Sequence, residues 1–525
     1  MEKEILNFCM EKGLLVDKEV LNLFEDVPDI DSVKLIIEKI KTYTNQRVIT
    51  KNLFDRNREE VNKAFSNLPE STQKNLEKLK IKLGLSIEIS REFEEVSDKE
   101  PVMFESSNVK VFSKNPIVEK KVEVKDFVNY FRSRFNSMKT ILQEHSELNN
   151  LVSIDKISGN RNGISILGMV YNKRTTKNKN IILDVEDLTG KIKVLINNSK
   201  PELYEMAENI TLDSVLGFKG TGNSEIFFVN EIIFPESLLP ERKKSPVEEY
   251  ALFIGDLHFG SKKFMKKSFD KFIGYLSSDL PEIKKIKYIF VVGDVVTGVG
   301  NYPNQEFDLE IGDLEEQFEG LAELFSKIPS HIKIIFSPGN HDGVRVMEPQ
   351  PVFDEKYAWP LQELDNVIIT ENPSLVNIAS REGFEGFDIL TYHGFSFPYY
   401  ANNISSLISK KAMNCPEEIM KFLLTNRHLA PTHGSTQYYP YEQDSLLISK
   451  VPDIFVSAHT HKCGVTYHNN VMVVSVSCWE ALTPYQEKFG NQPDHCKIPM
   501  INLKNRSVKI LDFEIPEENR IGREE

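Results

Sequence analysis

Residues 332–342 read IKIIFSPGNHD. A short apolar run gives way, at Ser337-Pro338-Gly339, to an amide, an imidazole and a carboxylate: Asn340, His341 and Asp342. Apolar runs of this length are strands covered on both faces. In layered α/β sheets, ligands collect in the loops outside the strand ends. The pattern recurs on either side. Residues 250–254 run into Gly255-Asp256-Leu257-His258, and 288–292 into Gly293-Asp294. Residues 389–392 run into His393-Gly394, and 454–456 into Ser457-Ala458-His459-Thr460-His461. One buried strand ending in a polar turn is ordinary, and a lone histidine is usually a satisfied structural one. Five such ends, each bearing Asp, Asn or His, predict convergence on one rim.

The donor types suit two divalent cations about 3.5–4 Å apart, which clamp a phosphate and activate a water. Asp294 is the candidate bridge, because a carboxylate offers two oxygens and offsets charge. Asp256 and His258 are expected to hold the first metal, since positions i and i+2 of an extended stretch point the same way. His461 returns to that metal. Asn340 offers a neutral amide oxygen to the second, and His393 and His459 add imidazoles. This mixture favours manganese, with iron or zinc as alternatives, over calcium. His341 is the natural acid–base residue, placed to protonate the leaving 3′ oxygen of a phosphodiester. Asp342 beside it is the candidate for fixing its tautomer.

Outward from this core the chain changes character. At 525 residues it should hold two to four domains. Residues 1–75 carry apolar positions at helical spacing, such as Val33, Ile36, Ile37 and Ile40, and predict a small helical module for partner docking or for no separate role. Residues 76–124 end in an aperiodic, acidic, proline-bearing tract and read as a flexible linker. Residues 125–240 open on a helix whose stripe is Phe127, Val128, Phe131, Phe135, Met138 and Leu142, expected to pack on a neighbouring domain. Five short strands follow, with a helix-like 201–209 after the third, the layout of an OB-fold β-barrel. Arg161, Lys173, Arg174, Lys177 and Lys179 supply charge to it, but Tyr171 is the clearest exposed aromatic, so a structural OB domain is as well supported as a DNA-gripping one. Residues 235–246 read as a linker into the last domain, 247–525.

Composition bounds the rest. The formal net charge of −14 does not suit a protein that coats nucleic acid by itself. The five dispersed cysteines form no Cys-x-x-Cys pair, which argues for free thiols rather than a disulfide framework or zinc knot. No apolar run approaches the roughly 20 residues of a membrane span, and residues 1–10 lack a signal-peptide pattern, so a cytoplasmic protein is expected.

In order, Asp-x-His, Gly-Asp, Gly-Asn-His-Asp, His-Gly and His-x-His resemble the motifs of the calcineurin-like metallophosphoesterases over residues 254–461. That resemblance implies a four-layer α/β/β/α sandwich and the ligand roles assigned above, with the catalytic histidine at His341. Ala458 stands where the last motif usually has Gly, and Thr297 where many members carry Asp, Asn or His. Helical module, linker, OB-fold and phosphoesterase in this order, with NRHLAPTHG at 426–434 and PDIFVSAHTH at 452–461, further resemble the small subunits of archaeal family D DNA polymerases, relatives of the eukaryotic polymerase B-subunits. The eukaryotic proteins lack most metal ligands, which this chain keeps. The resemblance therefore implies a 3′→5′ exonuclease that proofreads single-stranded or mismatched DNA 3′ ends. It also implies a large catalytic subunit, itself magnesium-dependent, as partner, with a sliding clamp or another replication factor as a further candidate. An idle structural subunit, a stand-alone phosphatase or cyclic-nucleotide phosphodiesterase, and a single-strand-binding protein are the competing readings. Arg427, His428 and His433, and the aromatics Tyr399, Tyr400, Tyr438, Tyr439 and Tyr441, are each open to a substrate role or a packing role.

Overall fold

The computed structural model describes residues 2–25, 30–43, 48–49, 109–112, 121–159, 161–488, 490 and 492–515. It divides into two units, residues 1–104 and 105–525. In the first, helices Glu2–Glu11, Lys18–Glu25 and Ile30–Tyr43 enclose a small core of Ile5, Cys9, Val20, Phe24, Val33 and Ile37. The i, i+4 spacing of Val33 and Ile37 puts both on one helix face. Strands β1 (Leu15–Val16) and β2 (Val48–Ile49) pair in parallel beside the helices.

Most of the expected linker lies outside the described residues, but part of it is strand. Here β3 (Lys110–Val111) pairs antiparallel through Val111 with Val376, on the edge of a sheet far along the chain. Two residues leave no periodicity to read, and only the partner strand makes them a strand.

Helix Val124–Leu142 leads into the barrel. The barrel comprises β4 (Arg161–Thr175), β5 (Ile181–Glu186), β6 (Lys191–Ile196), helix Pro201–Glu208, β7 (Val215–Gly222) and β8 (Ile226–Ile233). The strands close in the order β4-β5-β6-β8-β7, with β6 and β8 parallel. The helix serves two cores. Phe135, Met138 and Leu142 pack on barrel residues Leu167, Met169, Val215 and Ile233, while Tyr130 enters the core of the last domain. Its buried face is therefore not the purely apolar stripe expected. Arg134 is 0% exposed and Val128 is 42% exposed.

The last domain holds two six-stranded sheets face to face. One is built from β9 (Tyr250–Ile254), β10 (Ile286–Val292), β11 (Lys333–Ser337), β12 (Val367–Ile369), β18 (Lys497–Asn502) and β19 (Val508–Asp512), in the order β12-β11-β10-β9-β18-β19. The other contains β13 (Ser374–Ile378), β14 (Phe387–Tyr392), β15 (Ile454–Ser457), β16 (Gly464–His468) and β17 (Val471–Ser475), in the order β16-β17-β15-β14-β13-β3. Alternation along β9 shows why these strands read as continuous apolar runs. Ala251 and Phe253 face the inter-sheet core with Ile389 and Val456. Leu252 and Ile254 face the outer core, under helices Lys266–Leu276, Leu314–Phe325 and Glu355–Gln362. Helix Leu314–Phe325 starts where the Asp313 carboxylate accepts the Glu315 and Glu316 N–H groups. It packs Phe318, Leu321 and Phe325 at helical spacing. Helices Phe397–Asn403, Ser405–Ser409 and Pro416–Asn426 cover the second sheet. The result is the four-layer α/β/β/α sandwich. The parallel strands β9, β10 and β11 of one sheet and β14 and β15 of the other end at the same edge, so the five motif loops meet although they belong to two sheets. No helix among the described residues is long and apolar enough to cross a membrane.

Candidate metal centre

Backbone bonds lace the five loops before any side chain takes part. Asp256 N–H donates to the Gly293 carbonyl at 3.0 Å, His258 N–H to Asp294 at 2.9 Å, and Ala458 N–H to His393 at 3.0 Å. Two carboxylates then staple loops together. Asp256 Oδ2 accepts the His459 N–H at 2.8 Å, and Asp294 Oδ1 accepts the His341 N–H at 2.8 Å. Asp256, His258, Asp294, His459 and His461 all have left-handed backbone, with φ between 47° and 69°. Five non-glycine residues in that region at one spot mark stored strain, which persists where the surroundings over-determine it. The extended i, i+2 geometry expected for Asp256 and His258 is therefore not how their side chains come together. Gly293 is required: a Cβ there would stand 2.1 Å from His393 Nδ1.

The side chains form two adjoining groups. Asp256, His258 and His461 bring one donor atom each within 4.8 Å of one another, as do Asp294, His393 and His459. Asp294 also groups with His258 and His341 at that limit, so it touches both sets. In the first, His258 Nε2 faces His461 Nε2 at 3.3 Å. In the second, His393 Nε2 lies 3.0 Å from Asn340 Oδ1, 3.2 Å from His459 Nδ1 and 3.3 Å from Asp294 Oδ2. All seven expected ligands are thus in one place.

These residues fit divalent cations. Asp256 is 0% exposed and its Oδ1 has no hydrogen-bond partner. Burial, with the nearby Asp294 and Asp342 carboxylates, pushes its carboxyl well up against the pull of His393. Burial acts the same way on Asp294, but the His393, His341 and His258 imidazoles together outweigh it and hold that carboxyl well below the usual range. Burial pushes His459 down to about 3, so its ring is a neutral donor. His393 is pushed up to about 9: burial opposes, but Asp294, with Asp256 and Asp342 behind it, prevails. Nitrogen and oxygen donors packed this closely, with a buried carboxylate oxygen that has no hydrogen-bond partner, could hold a cation and do not form a self-satisfied core.

Asp342 does not partner the His341 ring. Its two oxygens accept the N–H groups of Val296 at 3.0 Å and Gly339 at 2.7 Å, clamping two loops. His341 Nδ1 instead faces the Thr297 carbonyl at 3.0 Å and the Asn301 amide at 3.3 Å. A carboxylate one residue along the chain finds backbone donors closer than the ring. Asn301 and Gln486, whose amide lies 2.9 Å from His461 Nδ1, carry no motif and become visible only through these contacts. The other open residues resolve towards packing. Arg427 donates to the Ile448 and Ser449 carbonyls, and His428 is buried on Asp444 at 2.8 Å. Tyr438, Tyr439 and Tyr441 are buried, as is Tyr400, while Tyr399 is half-buried and the His433 ring stands edge-on to Tyr438. In the barrel, Arg174 pairs with Asp184 and Lys173 with backbone carbonyls, while Tyr171 is 40% exposed under the Lys191 ammonium. All five cysteines are free.

Comparison with known proteins agrees with this architecture. Residues 251–463 match the calcineurin-like phosphoesterase family, and 164–225 an OB-fold nucleic acid binding domain. An archaeal phosphodiesterase of known structure aligns over 50% of this chain and 98% of its own at 12% identity, with a TM-score of 0.26, a likeness too loose to bear on function. The sequence relatives are much nearer. The DNA polymerase II small subunit of Pyrococcus furiosus is 35% identical over 450 residues, 82% of this chain and 71% of its own. That of Pyrococcus abyssi is 36% identical over 409 residues, 75% of this chain and 64% of its own. That of Methanothermobacter thermautotrophicus is 34% identical over 398 residues, 74% of this chain and 80% of its own. At this identity over more than two thirds of the Pyrococcus furiosus and Methanothermobacter relatives, the chain belongs to the family of archaeal DNA polymerase II small subunits.

Proposed function

We propose that the phosphoesterase domain is a metal-dependent 3′→5′ exonuclease that proofreads for a large catalytic polymerase subunit. The observation that carries this reading is the fully buried Oδ1 of Asp256, without a hydrogen-bond partner, beside two imidazoles and next to a second donor set sharing Asp294. A domain kept only as scaffold has no use for that arrangement, because an uncompensated buried carboxylate destabilises the fold. Asp256, His258 and His461 would hold one divalent cation; Asn340, His393 and His459 a second; and Asp294 would serve both, with manganese the best match to these donors. When bound, such a pair activates a water for attack on phosphorus and offsets the charge of the phosphodiester.

The chain's own residues supply the rest. His341 stands beside Asp294 and His258. Because the Thr297 carbonyl can only accept, Nδ1 keeps its proton in both states of the ring; the imidazolium gives its second proton, from Nε2, to the departing 3′ oxygen and becomes neutral. Asp342 keeps the loops of Asp294 and His341 in register through its two backbone bonds. The acidic balance fits a subunit whose larger partner grips the DNA.

The test is degradation of a 5′-labelled single strand and of a mismatched primer end, with manganese, by the full chain alone and with its large subunit. Stepwise shortening from the 3′ end, abolished by His341→Ala and by Asp294→Asn, is expected. Undiminished full-length product in every wild-type reaction would leave a scaffold subunit as the better account.

A further inference from the structure

Thr297 meets the His341 ring with its main-chain carbonyl and not with its side chain. The side chain beside the ring comes from further along the loop. The chain turns back after Gly298, and the Asn301 amide nitrogen arrives 3.1 Å from the Thr297 carbonyl, 3.2 Å from the His341 carbonyl and 3.3 Å from His341 Nδ1. The approach needs a glycine: a Cβ on Gly298 would stand 2.0 Å from the His341 carbonyl oxygen. The loop is also braced from behind. Gln305, 1% exposed, accepts the Asn301 N–H at 2.7 Å and donates to the Thr297 carbonyl at 3.0 Å. Gln317, 0% exposed, accepts the Gly298 N–H at 2.9 Å.

Donor and acceptor roles follow. With its proton on Nδ1 facing Thr297, the neutral ring cannot also accept from Asn301. The amide therefore donates to the two carbonyls on either side of the ring, one before it in space and one on His341 itself. This ties the loop carbonyl that orients the ring to the backbone that carries the ring. Without the amide, nothing but the imidazole joins the Thr297 carbonyl to His341 directly; Asp342 still holds the two loops through Val296, but the ring itself is freer to turn away.

We infer that Asn301 is the positioning residue for His341, holding the acid's ring in place through the Thr297 and His341 carbonyls. The inference rests on His341 acting as the acid in the hydrolysis proposed above. It assigns Asn301 no contact with substrate or cation.

The experiment compares Asn301→Ala, His341→Ala and wild type, all full length and loaded with manganese, on two substrates. One is single-stranded DNA, whose leaving alkoxide needs a proton. The other is bis(p-nitrophenyl) phosphate, whose leaving phenolate is stable without one. Asn301→Ala should lower kcat on DNA by at least about tenfold with KM within about twofold. It should leave kcat on the activated diester within about threefold of wild type, and manganese binding by calorimetry unchanged. Asn301→Ser, whose hydroxyl still donates, should recover part of the loss. Equal losses on both substrates, or weakened manganese binding, would show a merely structural loop and overturn the inference. So would wild-type DNA hydrolysis by Asn301→Ala while His341→Ala is dead. Wild-type hydrolysis by His341→Ala would instead overturn the acid assignment on which the inference stands.

Discussion

Replacing Asp444 by Asn should detach the barrel's helix from the phosphoesterase domain at a large cost. Arg134, on helix Val124–Leu142, is completely buried, and its Nε donates to Asp444 Oδ2 at 2.6 Å. Arg134 Nη1 donates to the Pro431 carbonyl and, at 3.3 Å, to that of Asp213, so one guanidinium touches both domains. The same carboxylate takes the Tyr130 hydroxyl at 2.6 Å, the Leu446 N–H at 3.0 Å and His428 Nε2 at 2.8 Å. The Asn variant keeps the shape and removes the charge. Its cost is that of stranding a buried guanidinium, about 3–5 kcal/mol, rather than the net worth of the pair. Arg134→Met with Asp444→Leu removes both charges and should recover most of it. Urea unfolding followed by tryptophan fluorescence reads this directly, because both tryptophans, Trp359 and Trp479, belong to the phosphoesterase domain. With a slope of about 3 kcal/mol per molar, the midpoint falls by about 1–1.7 M. The pH dependence has a definite sign. Burial pushes the Asp444 carboxyl up, but Arg134 and His428 outweigh it and hold it well below the usual range. Its contribution is therefore complete above about pH 4 and is lost as pH falls through the depressed value, so wild type and variant converge in acid. A difference under about 1 kcal/mol at neutral pH, or a double variant no more stable than the single one, would refute this account.

Two further perturbations probe the layer behind the metal-competent loops. Glu348 is fully buried, with the Tyr392 hydroxyl donating to it at 2.9 Å, and burial pushes its carboxyl up to about 7. The stabilisation held by that proton is complete below about pH 4.5 and lost as pH rises through 7. Glu348→Gln should thus flatten the stability profile over that window and gain up to about 3 kcal/mol near pH 8 in chemical denaturation, and an unaltered profile would show the carboxyl ionising normally. Gly293→Ala, at φ 70° and with its Cβ aimed into His393, should weaken manganese binding by at least about tenfold in calorimetry while circular dichroism stays native. Unchanged affinity would mean that His393 is not where the cation sits.

Much of the architecture is legible in residue order alone. Strands such as β9 and β10 are apolar on both faces, and the alternation of Ala251 and Phe253 with Leu252 and Ile254 between two cores explains why they read as continuous runs. The barrel strands are short and bounded by turn residues, and β6 alternates buried with more exposed positions, so their number and order show. The candidate ligands are legible because each follows a strand end, where the chain must turn and where a polar side chain needs a reason to be. Less legible is anything whose meaning depends on a partner distant in sequence. Arg134 sits where an apolar stripe predicts a core position, and its counter-ion Asp444 is 310 residues away. The segment at Lys110 reads as linker until β13 pairs with it.

What the sequence determined by itself is which side chains could do chemistry and which strands deliver them, because periodicity and strand-end position are properties of neighbours along the chain. The tertiary structure decided what each of those side chains touches. It sent the Asp342 carboxylate to two backbone N–H groups instead of the adjacent imidazole, and brought Asn301 to His341 across 40 residues. It also left one oxygen of Asp256 buried without a partner. The reason is physical: a hydrogen bond is settled by distances of about 3 Å and by competition among every donor that folding brings within reach, and that competition is not written in local order.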